Sequence, residues 1–299
     1  MNPALSVIFF TVFSGAGLGL LLVGAVATAA GRIGSPKAVL VVAVILTVAG
    51  LLSSTLHLGQ PLRAWRAFSQ WRTSWLSREG VAAVATLILA MVTWWFPTAE
   101  ALWLLLGLAA AITLRCTAGI YTSLKTVPEW HNRWVLPVFS GLSISAGGLL
   151  WLTITSGPND LDLSAWAWVV SGVALAWVLK SLYWRWIRSA ALPVSAASAI
   201  GMPEGTEVKG LFKPHTETNY LMREMGYTAI RRHAEWLRWV ALGLGALLPI
   251  GLLVLVQAKL LPIWPSLLVA SSLMLLGQVA ERWLFFAEAR HVVQLYYRP

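Results

Sequence analysis

Leu5 to Ala30 reads LSVIFFTVFSGAGLGLLLVGAVATAA, a run without a charged side chain. A helix needs about 20 largely apolar residues to cross a hydrocarbon core about 30 Å thick, so this stretch is long enough to span a bilayer. The first basic residue, Arg32, lies behind the run, and the run is too long for the hydrophobic core of a secretory signal. Ala27-Thr28-Ala29 has only the small-residue pattern of a cleavage site, so the segment is read as a retained helix. Seven more runs meet the same criterion: Ala38 to Leu58, Gly80 to Phe96, Ala101 to Ser123, Val135 to Thr155, Ala165 to Trp186, Trp239 to Gln257 and Ser266 to Phe286.

Bulk composition agrees with these spans. With 58% hydrophobic residues, 11% charged residues and a mean hydropathy of +0.71, the protein does not have the composition of a soluble globular one. Its single cysteine, Cys116, excludes an internal disulfide, a Cys-rich zinc site and a self-contained iron–sulfur cluster. The expected fold is an all-α integral membrane protein, a bundle of eight transmembrane helices forming one domain over residues 1–299. Most loops are short, which makes consecutive helices antiparallel neighbours. The exception, 188–237, opens with small and Pro-containing sequence and becomes charged and aromatic from His215 to Trp236. There Leu221, Met225, Ile230, Ala234 and Leu237 form an apolar stripe at helical spacing. That stripe suits a helix lying on lipid headgroups or a docking surface for a cytoplasmic protein.

The net charge of +10 is an orientation signal rather than a nucleic-acid footprint, because the basic residues gather at span ends. Of 22 lysines and arginines, 17 fall on the face that holds both termini and three (Arg32, Lys37 and Lys259) on the other. Arg115 and Lys180 lie inside spans. Without the long connection the balance is still nine to three, so both termini are expected in the cytoplasm, and the protein in a bacterial cytoplasmic membrane. Tryptophans such as Trp94, Trp95, Trp184 and Trp239 sit where spans meet loops and read as interfacial anchors.

Ionisable groups at the edge of the apolar layer are functional candidates because they are costly there. After the second span comes LHLGQPLRAW, with His57, Gly59 and Arg63, and then SWLSRE, with Ser77 and Glu79. Pro61 disfavours helix at Gln60, so the span should end at or just after His57 and expose its imidazole at the boundary. Ser77 can cap the third span, which would put Glu79 in its first turn. An imidazole, a carboxylate and a guanidinium at one membrane edge supply the donor, proton acceptor and counter-charge that two-electron, two-proton chemistry on a lipid-soluble quinone requires. Tyr121 after span four, the adjacent Glu281 and Arg282 in span eight, and Arg115 are secondary candidates. Arg115 should face the bundle or a wet cavity, and Glu281 with Arg282 reads as an ion pair at the edge or as a partner to groups of the first cluster. The histidines, His57, His131, His215, His233 and His291, all fall on one side, none near mid-membrane, which disfavours a cytochrome b. A transporter would expect more polar residues deep in its spans.

LHLGQPLRAW, SWLSRE, TVPEW after span four and GQVAERWLFF in the last span, in that order, resemble the dimethyl sulfoxide reductase membrane anchor family over nearly the whole chain. The resemblance implies a non-catalytic anchor with a quinone-reactive site, taking menaquinone or ubiquinone and holding no haem or iron–sulfur cluster. It also implies two partners, an iron–sulfur electron-transfer subunit and a molybdopterin catalytic subunit. The family's quinol-site residues match here at His57, Gly59, Arg63 and Glu79. The charge count puts the motif-bearing face, and so these partners, in the cytoplasm, whereas exported dimethyl sulfoxide reductases hold theirs outside. That placement and the long basic connection are similar to anchors of cytoplasmic sulfite-oxidising molybdoenzymes, which implies electron flow into quinone.

Overall fold

Eight helices long and apolar enough to cross a membrane follow one another in the computed structural model. They are α1 Leu5–Ala29, α2 Pro36–Thr55, α3 Trp75–Trp95, α4 Glu100–Thr122, α5 Val135–Thr155, α6 Leu163–Ser189, α7 Ala234–Gln257 and α8 Ile263–Ala287. The structure describes residues 3–32, 34–56, 60–157, 160–190, 192, 194–203, 205–209 and 233–296. Between α2 and α3 lies a 3-10 helix, Pro61–Gln70, and after α6 a single helical turn, Ala196–Ala199. The bundle is all-α.

The first span lies at the centre of the packing: 72% of its apolar window is buried inside the protein, against 28% for α2. It packs on α2, α4, α5 and α8. Lipid tails are as apolar as leucine, so no hydrophobic force joins these helices, and close backbone approach supplies the attraction instead. Where α1 crosses α5, a Cβ on Gly19 would overlap the carbonyl of Ser143, and one on Gly147 would overlap the backbone of Gly19. Polar bonds add specificity: Thr153 to Ser271 at 2.9 Å joins α5 to α8, and Gln278 Nε2 donates to the Leu142 carbonyl at 2.8 Å.

Span α7 is interrupted by one π-helical segment, Gly243–Leu247. Pro249 has no N–H for the Gly245 carbonyl and its ring crowds that group, so the preceding turn widens. Gly245 in the widened turn abuts the Trp177 indole of α6, and a Cβ on Gly277 of α8 would overlap the Gly245 backbone. Three helices thus meet one to two turns from Lys180 and Glu281.

Three boundaries differ from the sequence expectation in ways that move functional residues. Helix α2 ends at Thr55, with Leu56 at its cap, and so stops short of His57 rather than at or just after it. Helix α3 begins at Trp75 rather than Gly80, because Ser74 caps it and accepts from the Ser77 N–H at 3.4 Å. Helix α7 begins at Ala234 and takes in Ala234 and Leu237 of the expected surface stripe, while Leu221, Met225 and Ile230 lie outside the described residues. Antiparallel neighbours put the start of α1, the ends of α2, α4 and α6, and the end of α8 together at one end of the bundle, the end whose connecting sequence is basic.

Candidate functional site

The 3-10 helix Pro61–Gln70 has three residues per turn, and the sequence matches that period. Leu62, Trp65, Phe68 and the following Trp71 recur every third position, as do Arg63, Arg66, Ser69 and Arg72. The segment is tied to the start of α3: the Ser77 hydroxyl donates to the Ala67 carbonyl, and Phe68 fills the space beside Gly80, where a Cβ would lie 3.1 Å from the ring. Ser77 is therefore not the helix cap the sequence suggested. Its hydroxyl is engaged by Ala67, and Ser74 takes the cap. As a result Glu79 falls one turn deeper than the first turn.

At that depth Glu79 is 4% exposed. The Thr117 hydroxyl of α4 donates to Glu79 Oε1, and Thr117 is set by its own α-helical contact to the Thr113 carbonyl. Deeper still, two turns beyond Glu79 on α3 and one beyond Thr117 on α4, Thr86 and Thr113 pair across the same two helices at 3.0 Å. Among the described residues no cation lies within ion-pair distance of Glu79. Its neighbour Arg78 turns back to the loop, donating to the Trp71 and Arg72 carbonyls at 3.0 and 2.6 Å. Arg63 is exposed on the 3-10 helix and forms no ion pair with Glu79. His57 and Gly59 lie outside the described residues.

A second buried acid occupies the other half of the bundle. Glu281 of α8 faces Lys180 of α6, with Lys180 Nζ 2.5 Å from Glu281 Oε1, and Arg282 Nη1 is 3.4 Å from Glu281 Oε2. Both Lys180 and Glu281 are fully buried, and the Arg282 guanidinium lies 3.5 Å from the Phe139 ring centroid. The expectation of an ion pair at the edge is corrected. The pair is an internal triad, because Lys180, far away in sequence, supplies the second cation. Tyr121 is buried among Trp130, Phe139, Phe285 and Phe286 in an aromatic cluster.

Nearer the basic face, Arg290 Nε meets Glu129 at 2.5 Å and Arg238 meets Glu288 at 2.5 Å, tying the segment after α8 to the rest of the bundle. Burial pushes the Glu288 carboxyl up, with the Arg238 charge pulling against it.

Arg115 departs most from expectation. It does not face the bundle: it is exposed on the outer surface of α4, against the Trp75 indole. The sequence carried the signal. Arg115 continues the lipid-facing row of Leu104, Leu108 and Ile112 at helical spacing.

The fold and site define a multi-pass membrane protein with an unpaired acid buried near one end of its bundle. A family model described as "DMSO reductase anchor subunit (DmsC)" matches residues 1–287, and the protein belongs to that family. It is 34% identical to a subunit of sulfite dehydrogenase from Allochromatium vinosum, an alignment spanning 100% of this chain and 99% of the relative. Over 36% of its length it is also 31% identical to a chain of the anaerobic dimethyl sulfoxide reductase of Escherichia coli, spanning 39% of that protein. A further anaerobic dimethyl sulfoxide reductase chain of the same organism, YnfH, is 30% identical over 36% of this protein and 40% of its own length.

Proposed function

We propose that this anchor subunit exchanges electrons between a membrane quinone and an iron–sulfur partner in a complex whose catalytic member holds molybdopterin. The observation that supports the reading most is Glu79, a carboxyl buried in a span, one turn in from the basic face, with a hydroxyl donor and no cation. An acid buried without a counter-charge suits a group that gives and takes protons. Menaquinone or ubiquinone supplies two-electron, two-proton chemistry in the lipid. The residues fit such a carrier, with buried Glu79 as the group that passes a proton to the quinone as it is reduced and Thr117 holding the carboxyl in place.

In this reading His57 hydrogen-bonds a carbonyl oxygen of the headgroup, Gly59 of the same motif belongs to the site, and Glu79 relays the proton. Exposed on its 3-10 helix, Arg63 serves the headgroup side rather than the carboxylate. The basic face lies in the cytoplasm of a bacterial cell by the positive-inside rule and docks the partner subunits. The end-to-end likeness to a sulfite dehydrogenase subunit supports sulfite as the reductant, with electrons passing into the quinone pool.

The test measures quinone-analogue turnover of the intact complex beside dye-linked activity of its catalytic subunit. Glu79→Gln and His57→Ala are each expected to lower quinone turnover by about 10²- to 10⁴-fold, the usual contribution of a general acid–base group, while assembly and dye activity persist. Quinone turnover at the unmodified level in Glu79→Gln would remove the reading.

A further inference from the structure

We infer that Arg115, Arg78 and Trp75 form a binding site for the phosphate of an anionic phospholipid on the outer wall of α3 and α4. The inference is independent of the quinone reading. Its starting point is the outer face of α4, where Leu104, Leu108 and Ile112 are all about half exposed, as lipid-facing side chains are. Arg115 is the next residue of that row and is exposed too. It stands seven residues before Thr122, the last residue of α4, which at 1.5 Å per residue is about 10 Å inside the helix end. A guanidinium on a lipid-facing wall at that depth is expensive unless its head reaches the interface and meets an anion.

The local construction brings a second cation to the same place. Gly119, one turn on from Arg115, has no side chain, and the Trp75 indole presses against it; a Cβ there would lie 2.6 Å from the ring. The Arg115 and Arg78 guanidiniums sit 4.8 and 4.6 Å from the centroid of that one indole. Arg78 is held in position by the Trp71 and Arg72 carbonyls. Two like charges on one ring repel each other, and among the described residues no carboxylate pairs with either. A phosphate beside them offsets the repulsion, accepting from the Arg115 guanidinium and from the Arg78 Nη1 that the two carbonyls do not engage.

The occupant is a lipid rather than a protein because the cations and the apolar row are continuous. Phosphate on Arg115 and Arg78 leaves acyl tails running down Ile112, Leu108 and Leu104, a surface only a bilayer lipid follows to mid-membrane. The neighbouring 3-10 helix extends the site: Leu62 is 94% and Trp65 67% exposed, beside the exposed Arg66. Apolar and basic side chains in alternate rows suit a segment lying among headgroups.

The test uses the whole complex in detergent, with co-purified phospholipid read by native mass spectrometry through successive washes. The unmodified protein should retain phosphatidylglycerol or cardiolipin, and Arg115→Gln should retain about tenfold less, as expected for loss of one charge-assisted contact. Arg188→Gln, at the end of α6 and away from the site, should leave retention unchanged. Equal retention in Arg115→Gln and the unmodified complex would overturn the inference. A second measurement needs no variant: delipidated complex should recapture phosphatidylglycerol from mixed nanodiscs in preference to phosphatidylcholine. Absence of preference, or a photo-crosslinker at position 115 that captures a polypeptide instead of lipid, would equally overturn it.

Discussion

Glu79 and Glu281 are both glutamates buried inside transmembrane helices within two turns of the basic face, yet they stand in opposite electrostatic circumstances. Glu79 has a threonine hydroxyl and no cation; Glu281 stands between Lys180 and Arg282. A buried acid without a counter-charge loses little when neutralised, whereas an acid in direct contact with two cations holds down their mutual repulsion at low dielectric. Sequence position alone does not separate a proton-exchanging acid from a structural one. The difference lies in which charges the other helices bring to each.

That contrast is sharpest in paired substitutions. Glu281→Gln leaves Lys180 and Arg282 buried side by side and should cost about 3–5 kcal/mol, seen as a large drop in thermal denaturation midpoint or loss of folded protein in detergent. Lys180→Met should cost less, because it leaves a balanced Glu281–Arg282 pair. If Lys180→Met proves the more damaging, the triad is not organised around its acid. Glu79→Gln keeps the shape and a Thr117 partner, so its midpoint should move by less than about 1 kcal/mol equivalent even as quinone turnover collapses.

A smaller effect is expected at Thr117. Thr117→Val removes the donor that orients Glu79 and should lower quinone turnover about tenfold, the size of one lost hydrogen bond to a charged or charging group. Thr117→Ser should restore most of it, since the hydroxyl returns. Kinetics that ignore both changes would show that Glu79 is positioned by something else.

Least affected should be the clasp on the far face, where Arg32 Nη1 lies 2.9 Å from Asp162 and Asp162 caps α6. The Ser164 hydroxyl, then the Ala165 N–H and the Arg32 charge hold the Asp162 carboxyl below its ordinary range. Its contribution is therefore complete above the ordinary aspartate pKa and is lost as pH falls through the lowered folded value. Asp162→Ala should cost about 1 kcal/mol from the lost cap, with little from the solvent-screened ion pair, and the difference from the unmodified protein should vanish in acid. A difference that persists at low pH would assign the effect to packing.

Much of the site was legible in the string of residues. Glu79 stands out there as an acid at the mouth of a span and Arg115 as a cation within one, both from charge in apolar sequence. Their surroundings do not. Ser77 reads as the cap in the sequence, and the role falls to Ser74 in the structure, where the Ser77 hydroxyl is engaged by the Ala67 carbonyl. The three-residue period of Leu62, Trp65, Phe68 and Trp71 is visible in the string, but only a 3-10 helix makes that period a surface. Lys180 is plainly inside its span, and nothing in the sequence around it names Glu281 as its partner.

Composition and the spacing of apolar runs were enough to determine that this protein has eight membrane-crossing helices and keeps its basic loops on one face. Those properties follow from the thickness of the hydrocarbon core and from charges that remain outside it. Which buried acid is free of a counter-charge, which is locked between cations, and which indole lies beside the outward-looking Arg115 were decided by helix packing alone. Each depends on how α3, α4, α6 and α8 are rotated about their axes, and that rotation is set by close contacts such as Gly119 with Trp75 and Gly277 with Gly245, between residues far apart in the sequence.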